Sequence, residues 1–348
     1  MNKKIVYKLP ISLQMFFRRI ANTCKLLGGK VSIDKVTERF KNKEEYDSEY
    51  LKTIKRDIKK SYIKYLAKPV EYFLFDFENK TASQRKKYLT DIQKDAYCEK
   101  YDGIANFNDL SDKFLFYGKM KKFYHRDACL IAGLSDKPLF LSFVSKHPLF
   151  IVKPNIGSFG QNSRIINTLD AYAADDIFND LLKAGSWIVE EIIHQVPEMA
   201  KFNNSSVNSV RVPTFMSHGE VVVYGTFMRT GRAGSVVDNA GQGGIFFRID
   251  EKTGISISDG FTETGCRYKK HPESGVEFKG FQVPQWKDLL SLAMECHKTL
   301  PKHKYIGWDF ALTENGWVLI EGNWGQFLCQ QVSEEKPMKN EFVSLIKC

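Results

Sequence analysis

From residue 12 to residue 66, apolar and aromatic side chains return every three or four positions among charged ones. Tyr50, Ile54, Ile58 and Tyr62 keep this spacing, which is that of helices with one buried face. Gly28 and Gly29 interrupt the pattern and predict a break between two helices. Between Pro69 and Tyr117 the signals mix, with a helix expected near 83–100 and an aromatic cluster at Tyr72, Phe73, Phe75 and Phe77. After Asp109 the chain changes to short apolar runs bounded by Gly, Pro, Asn and Asp. These predict strands at 149–153, 187–191, 210–216, 221–229, 307–313 and 317–322. Helices are predicted over 169–182 and 285–300, the second with Trp286, Leu289, Leu290, Ala293, Met294 and Leu300 on one face. Strand and helix do not alternate as in a doubly wound parallel sheet, and no internal repeat is visible. The expected class is α+β.

Composition narrows the function classes. The 348 residues, 43% apolar and 26% charged, suffice for two or three packed units of a globular protein and exclude a disordered tail or a fibre. The most apolar early stretch, 9–17, is short and is followed by Arg18 and Arg19, so neither a spanning helix nor a signal peptide is expected. Seven scattered cysteines without a C-x-x-C pair suggest a reduced, cytoplasmic protein with neither a disulfide framework nor a zinc site. The net charge of +10 is local: residues 1–66 carry 17 Lys and Arg against 7 Asp and Glu, and the rest of the chain is balanced. Such a segment attracts polyanions or anionic lipid, and places the protein at the inner face of a membrane. No nucleic acid partner is expected.

Two segments carry candidate chemistry. In 149–164, Lys153 ends a strand and a loop with Gly157, Ser158 and Gly160 follows. Glycine lets backbone N–H groups approach a phosphate, and the lysine adds a point charge, but the G-K-[ST] of a Walker loop is missing. In 305–325, two strands flank Asn315 and Gly316, and two turns compete. A two-residue Asn-Gly turn pairs Glu314 with Trp317 and mixes polar with apolar on both faces. A three-residue turn with a glycine bulge pairs Thr313 with Trp317, sets Asp309 opposite Glu321, and gathers Trp308, Phe310, Leu312, Val318 and Ile320 on one dry face. The other face then carries Asp309, Glu321 and Asn323. Opposed carboxylates repel unless a cation sits between them, and magnesium bound by one or two carboxylates plus substrate phosphates meets that need.

In this order the blocks "SDKFLFY", "FIVKPNIGSFGQNSR", "WIVEEIIHQVPEM", "SSVNSVRVPTF", "FMRTGRAGSVVDNAGQGGI" and "GWDFALTENGWVLIEGNWG" resemble the ATP-grasp superfamily, most closely its sugar-transfer-associated, glutamate-ligase-like branch. The resemblance covers roughly residues 110–327. It implies an ATP-grasp fold of two α+β lobes behind a mainly helical N-terminal region: 1–108 helical, 109–195 the small lobe, 196–348 the large lobe. By the same resemblance ATP and Mg2+ are the cofactors. Lys113 and Lys153 hold the phosphates under the loop of Gly157, Ser158 and Gly160. Glu190, Glu191, Ile192 and Ile193 form the adenine hinge, and Glu198 takes the ribose hydroxyls. Asp309, Glu321 and Asn323 bind metal, while Arg211, Arg229 and Asn239 serve the transferred phosphate and the acyl phosphate. The implied activity is carboxylate–amine ligation that joins an amino acid or amine to a sugar carboxylate, a uronic acid, in surface polysaccharide biosynthesis. An anionic glycan or lipid-linked acceptor would meet residues 1–66. A phosphotransferase and a non-catalytic nucleotide- or glycan-binding scaffold are the alternatives.

Overall fold

Two antiparallel sheets with helices on their faces emerge from the alternating runs. The structure, a computed structural model, describes residues 8–41, 44–103, 109–157, 162–168, 174–232, 234–325 and 327–348. The smaller sheet has the order β1-β4-β2-β3, with β1 Ala128–Ile131, β2 Leu149–Pro154, β3 Arg164–Asn167 and β4 Trp187–Glu191. The larger comprises β5 Val210–Ser217, β6 Glu220–Val223, β7 Phe227–Thr230, β8 Ile245–Arg248, β9 Gly260–Phe261, β10 Arg267–Tyr268, β11 Tyr305–Thr313 and β12 Gly316–Asn323. Its order is β10-β9-β8-β7-β5-β11-β12, with β6 attached to β5. The fold is the expected α+β, and the N-terminal region is mainly helical.

Several boundaries differ from the sequence reading for local reasons. The expected break at Gly28 and Gly29 separates Ile11–Leu27 from Ile33–Phe40, and among the described residues of the basic segment a further helix, Ser48–Lys64, follows. Gly29 takes a left-handed φ of 67° after the first, and Asp47 restarts the last by accepting the Tyr50 N–H at 2.8 Å. The helix expected near 83–100 is two pieces, Ala82–Arg85 and Asp91–Tyr101, because Thr81 and Thr90 each act as an N-cap. The run 221–229 splits into β6 and β7 at Gly225, whose φ is 92°. The amides of Gly225 and Thr226 leave the ladder for the Glu251 carboxylate at 2.7 and 2.8 Å. The helix expected over 169–182 is described as Ala174–Ala184, its first five expected residues lying outside the described ones. On the helix Trp286–Thr299 the buried residues are Trp286, Leu289, Ala293, Cys296 and His297, and Leu290 packs partly buried beside them, so Cys296 and His297 join the expected face and Met294 does not.

Strand alternation explains the layers. On the large sheet Val210, Val212, Met228, Phe247, Trp308, Phe310 and Leu312 point into one core with the helices Lys113–Tyr124 and Trp286–Thr299. The neighbouring residues Phe227, Phe246 and Phe261 point the other way, into a second core with Ile54, Ile58, Tyr72 and Phe77 of the N-terminal helices. Both faces of the large sheet are therefore covered. The helical N-terminal region roofs the face that carries the odd-numbered residues of β5, β7 and β11. The small sheet has its own core of Phe140, Phe143, Phe150, Val152, Phe178 and Val189. Among the described residues no helix is long and apolar enough to cross a membrane.

Candidate active site

The large sheet presents a charged row across three neighbouring strands. Asp309 on β11 stands directly opposite Arg211 on β5 and directly opposite Glu321 on β12. The Asp309–Glu321 pairing is the one expected, but the turn is not. Thr313 pairs with Gly316 across a two-residue turn of Glu314 and Asn315, and the register shifts by one between Asp309 and Phe310. That shift leaves Ile320 without a paired partner, so the dry face takes Trp317 and Leu319 in place of Val318 and Ile320. Ile320 turns with Glu321 toward the cavity, as a β-bulge re-aims side chains.

The cations that steady this row are arginines. Arg211 grips Asp309 bidentately, Nε to Oδ1 at 2.6 Å and Nη2 to Oδ2 at 2.5 Å, and Arg229 Nη2 lies 2.8 Å from the same Oδ2. Gly325 makes room for this grip, since a Cβ there would collide with Arg211 Nη1. Arg229 also donates to Ser209 Oγ at 2.8 Å, and Ser209 donates to Asp238 at 2.5 Å. Burial pushes the Asp309 carboxyl up, but the two guanidinium groups outweigh it and hold the pKa at about 2. Glu321 has no such partner. Burial and the Asp309 charge raise its pKa, and its hydrogen-bond donor is Asn323 Nδ2 at 3.3 Å.

The small sheet contributes an opposing charged wall. Along β2, Phe150 and Val152 enter the core while Ile151 and Lys153 face the cleft. Lys153 Nζ lies 2.7 Å from Glu190 Oε2 on β4, which Arg126 Nη2 also reaches at 3.1 Å. Burial opposes the Glu190 charge, but Lys153 and Arg126 hold its carboxyl at about 2. Lys113 begins a helix capped by Asp112, and its ammonium donates to the carbonyls of Pro154 and Gly157, each at 2.9 Å. Asn155 locks that helix to the loop by accepting the Phe114 N–H at 2.9 Å.

Between these walls lies a cavity of about 570 Å³ lined by Lys113, Lys153, Gly157, Ile192, Ile193, Arg229, Asn239, Asp309 and Glu321. Ile151, Ile165 and Ile320 make part of it apolar. A second chamber of about 340 Å³ shares Lys113, Lys153, Arg229, Asn239 and Glu321, and adds Glu190, Arg211 and Asn323. Its far wall is built by Lys68, Asp91, Lys94 and Asp95 of the N-terminal region, residues the sequence reading did not select. Their signal was hidden because roofing the charged face is a long-range packing outcome. Arg126 was missed for the same reason, its partner Glu190 being far along the chain.

Two selected residues fall elsewhere. Glu198 lies on the short helix Pro197–Ala200 and is exposed, and Ala200 of that helix lines the cavity. Glu191 turns its carboxylate to the Asp127 N–H at 3.1 Å. Glu190 sits buried in its ion pairs and does not border the 570 Å³ cavity, so a hinge there rests on Ile192 and Ile193. Ser158 and Gly160 lie outside the described residues.

The donor set suits a hard divalent ion held partly by substrate. Asn323 Oδ1 is buried and has no hydrogen-bond partner among the described residues, and it lies beside the Glu321 carboxylate. Asp309 keeps one lone pair on Oδ1 after three guanidinium contacts. Among the described residues no three His, Cys, Asp or Glu gather closely enough for an all-protein cage. Oxygens from substrate would complete such a shell.

These shifts predict a stability profile. Asp309 and Glu190, both lowered to about 2, contribute stability that is full above the ordinary carboxylate range and lost as pH falls toward 2. Glu321 has the opposite sign, its raised pKa favouring the fold at low pH and costing stability as pH rises through it. Thermal midpoints should therefore fall as pH drops from about 4 toward 2, and Asp309→Asn should flatten that fall.

The family model described as sugar-transfer associated ATP-grasp matches residues 93–345, wider than the 110–327 expected, since it takes in most of the helix Asp91–Tyr101 and the helix Lys339–Lys347. No curated protein matches the chain. Among solved structures, the chain is similar to VanG D-Ala:D-Ser ligase from Enterococcus faecalis, with 12% identity over 72% of this chain and 62% of that one, TM-score 0.44. It is similar to the ATP-grasp ligase PsnB complexed with minimal precursor, with 11% identity over 70% and 64%, TM-score 0.43. It is also similar to the ADP complex of purK, N5-carboxyaminoimidazole ribonucleotide synthetase, with 11% identity over 63% and 46%, TM-score 0.40. The chain thus spans about half to two thirds of the length of these structures. With most of its length matched by the family model, the chain belongs to the sugar-transfer associated ATP-grasp family.

Proposed function

We propose that the protein is an ATP-dependent ligase that forms a carbon–nitrogen bond through an acyl phosphate, joining an amine or amino acid to a sugar carboxylate such as a uronic acid in surface polysaccharide biosynthesis. The observation that carries this reading is the meeting, in one cavity, of two lysines at a glycine-containing loop with the oxygens of Glu321 and Asn323. We take 109–195 and 196–348 as the two lobes, with 1–108 as the helical region that closes the substrate side. In this reading the apolar part of the 570 Å³ cavity takes the base against Ile192 and Ile193, and Lys113 and Lys153 meet the phosphates. Magnesium, held by Glu321, Asn323 and the remaining lone pair of Asp309, would neutralise the phosphate oxygens.

Phosphoryl transfer asks mainly for positioning and charge stabilisation, and no protein nucleophile is required. Arg229 and Arg211, fixed by Asp309 and buried, present cations that need no reorganisation as charge develops. Asn239 borders both chambers beside them. The 340 Å³ chamber then takes the carboxylate and the amine, with Lys68, Asp91, Lys94 and Asp95 supplying both signs of charge for their recognition. Residues 1–66 would hold an anionic or lipid-linked acceptor at the inner face of a membrane.

The test is ADP release from MgATP with uronic acids and nucleotide-linked uronic acids, each supplied with and without the common amino acids. Release that needs both partners, with an amide product, is the expected result. Release with one partner and a phosphorylated product would replace the ligase by a phosphotransferase. No turnover, with nucleotide bound, would point to a scaffold.

A further inference from the structure

The helix Ile11–Leu27 exposes an apolar stripe. Leu13, Phe16, Ile20 and Leu27 follow one another at steps of three, four and seven residues on one side, and they are exposed by 38%, 52%, 46% and 84%. The side facing the protein mixes polar and apolar residues, with Ile11 and Met15 packed partly buried against one core and Leu26 against another. Asn22 and Gln14 are buried there, Asn22 Nδ2 donating to the Tyr62 carbonyl at 2.8 Å and Gln14 Nε2 to the Leu9 carbonyl at 3.0 Å. Arg18 joins them through an ion pair with Glu99 at 2.5 Å. A surface helix ordinarily keeps its apolar residues on the core side and its polar ones in water, and this one carries a second apolar stripe in water. Arg19 is exposed on the flank of the apolar stripe, Lys25 and Lys30 are exposed nearby in the chain, and no acidic residue occurs between Lys8 and Ile33.

We propose that this face docks on an anionic lipid bilayer, with the helix lying in the plane of the interface. Leu13, Phe16, Ile20 and Leu27 enter the boundary between headgroups and acyl chains, Arg19 on their flank meets the lipid phosphates, and the cationic, acid-free stretch 8–33 adds long-range attraction. Charge complementarity selects this occupant. A second copy packed face to face would bring the same cations together across a two-fold contact. An anionic polymer in water would match the cations but offer nothing for four apolar side chains to enter. The inference is independent of the ligase reading, because it rests on a helix that lines neither chamber.

The experiment is co-sedimentation of the full chain with vesicles of phosphatidylglycerol and phosphatidylethanolamine, against vesicles of phosphatidylcholine alone. Binding to the first set, weaker by about tenfold or more on the second and at raised salt, is expected. Leu13→Ser/Phe16→Ser/Ile20→Ser should lower the partition coefficient by on the order of a hundredfold. Leu27→Ser, at the most exposed position, is the variant that keeps the fold and should weaken binding in the same direction. Thermal midpoints check folding of both. Absence of binding to either vesicle overturns the proposal, and so does binding that neither variant weakens. A dimer dissolved by these substitutions would assign the face to a second copy. Capture by a soluble anionic polysaccharide that survives them, without vesicle binding, would assign it to the charges alone.

Discussion

Glu321→Gln should reduce magnesium-dependent ADP release by on the order of a hundred- to a thousandfold, with folding stability equal to the parent's or slightly higher. The two halves of this expectation have one cause. Glu321 lies directly opposite Asp309, whose own charge is already spent on Arg211 and Arg229, and burial together with Asp309 raises the Glu321 pKa. Its negative charge is therefore a cost to the empty protein that a bound cation repays. Glutamine keeps the shape and can still partner Asn323, so the neutral side chain relieves repulsion and removes only the cation ligand. Steady-state ADP release and thermal unfolding of the same preparation check this. A variant that turns over at the parental rate removes Glu321 from the site, and one that unfolds easily makes the residue structural.

Asp309→Asn should behave differently, costing about 3–5 kcal/mol of stability and abolishing turnover as well. Asp309 is 1% exposed, and it is the carboxylate that both Arg211 and Arg229 share. An amide in its place leaves two buried guanidinium groups close together with Asp238, 3.7 Å from Arg229, as the nearest other carboxylate. Removing one member of a buried charge network strands the rest, which costs more than the network contributed in the first place. Denaturant unfolding reads the loss. A midpoint within error of the parent would show that the arginines find other partners and that Asp309 acts through a bound metal instead. Comparing the two neighbours thus separates a carboxylate that serves a ligand from one that serves the fold.

Much of this was legible in the chain. Periodicity located β2, β4, β5, β11 and β12, and the polar–apolar alternation of the last hairpin was enough to set Asp309 opposite Glu321. It was not enough to fix the turn, because a register shift at Ile320 can restore a pairing that a different turn would have set. The short strands β1, β3 and β9 escaped notice since their few residues carry too little pattern to count. Glu198 was expected at the ribose from its motif position and its exposed side chain does not line the cavity, whereas the hinge expected at Glu191 concerns the main chain and is indifferent to where its carboxylate points.

The sequence by itself determined the elements and the identity of the charged residues, because helix and strand periods, caps and turn glycines act within a few residues of one another. It also determined that the basic excess belongs to residues 1–66. Which charge compensates which was decided only by the tertiary structure. Arg211 meets Asp309 from 98 positions away, Lys153 and Arg126 converge on Glu190, and Lys68 and Lys94 reach the second chamber from the N-terminal region that roofs the large sheet. Pair energies depend on separations of a few ångströms and on burial, and neither is written in the spacing of residues along the chain.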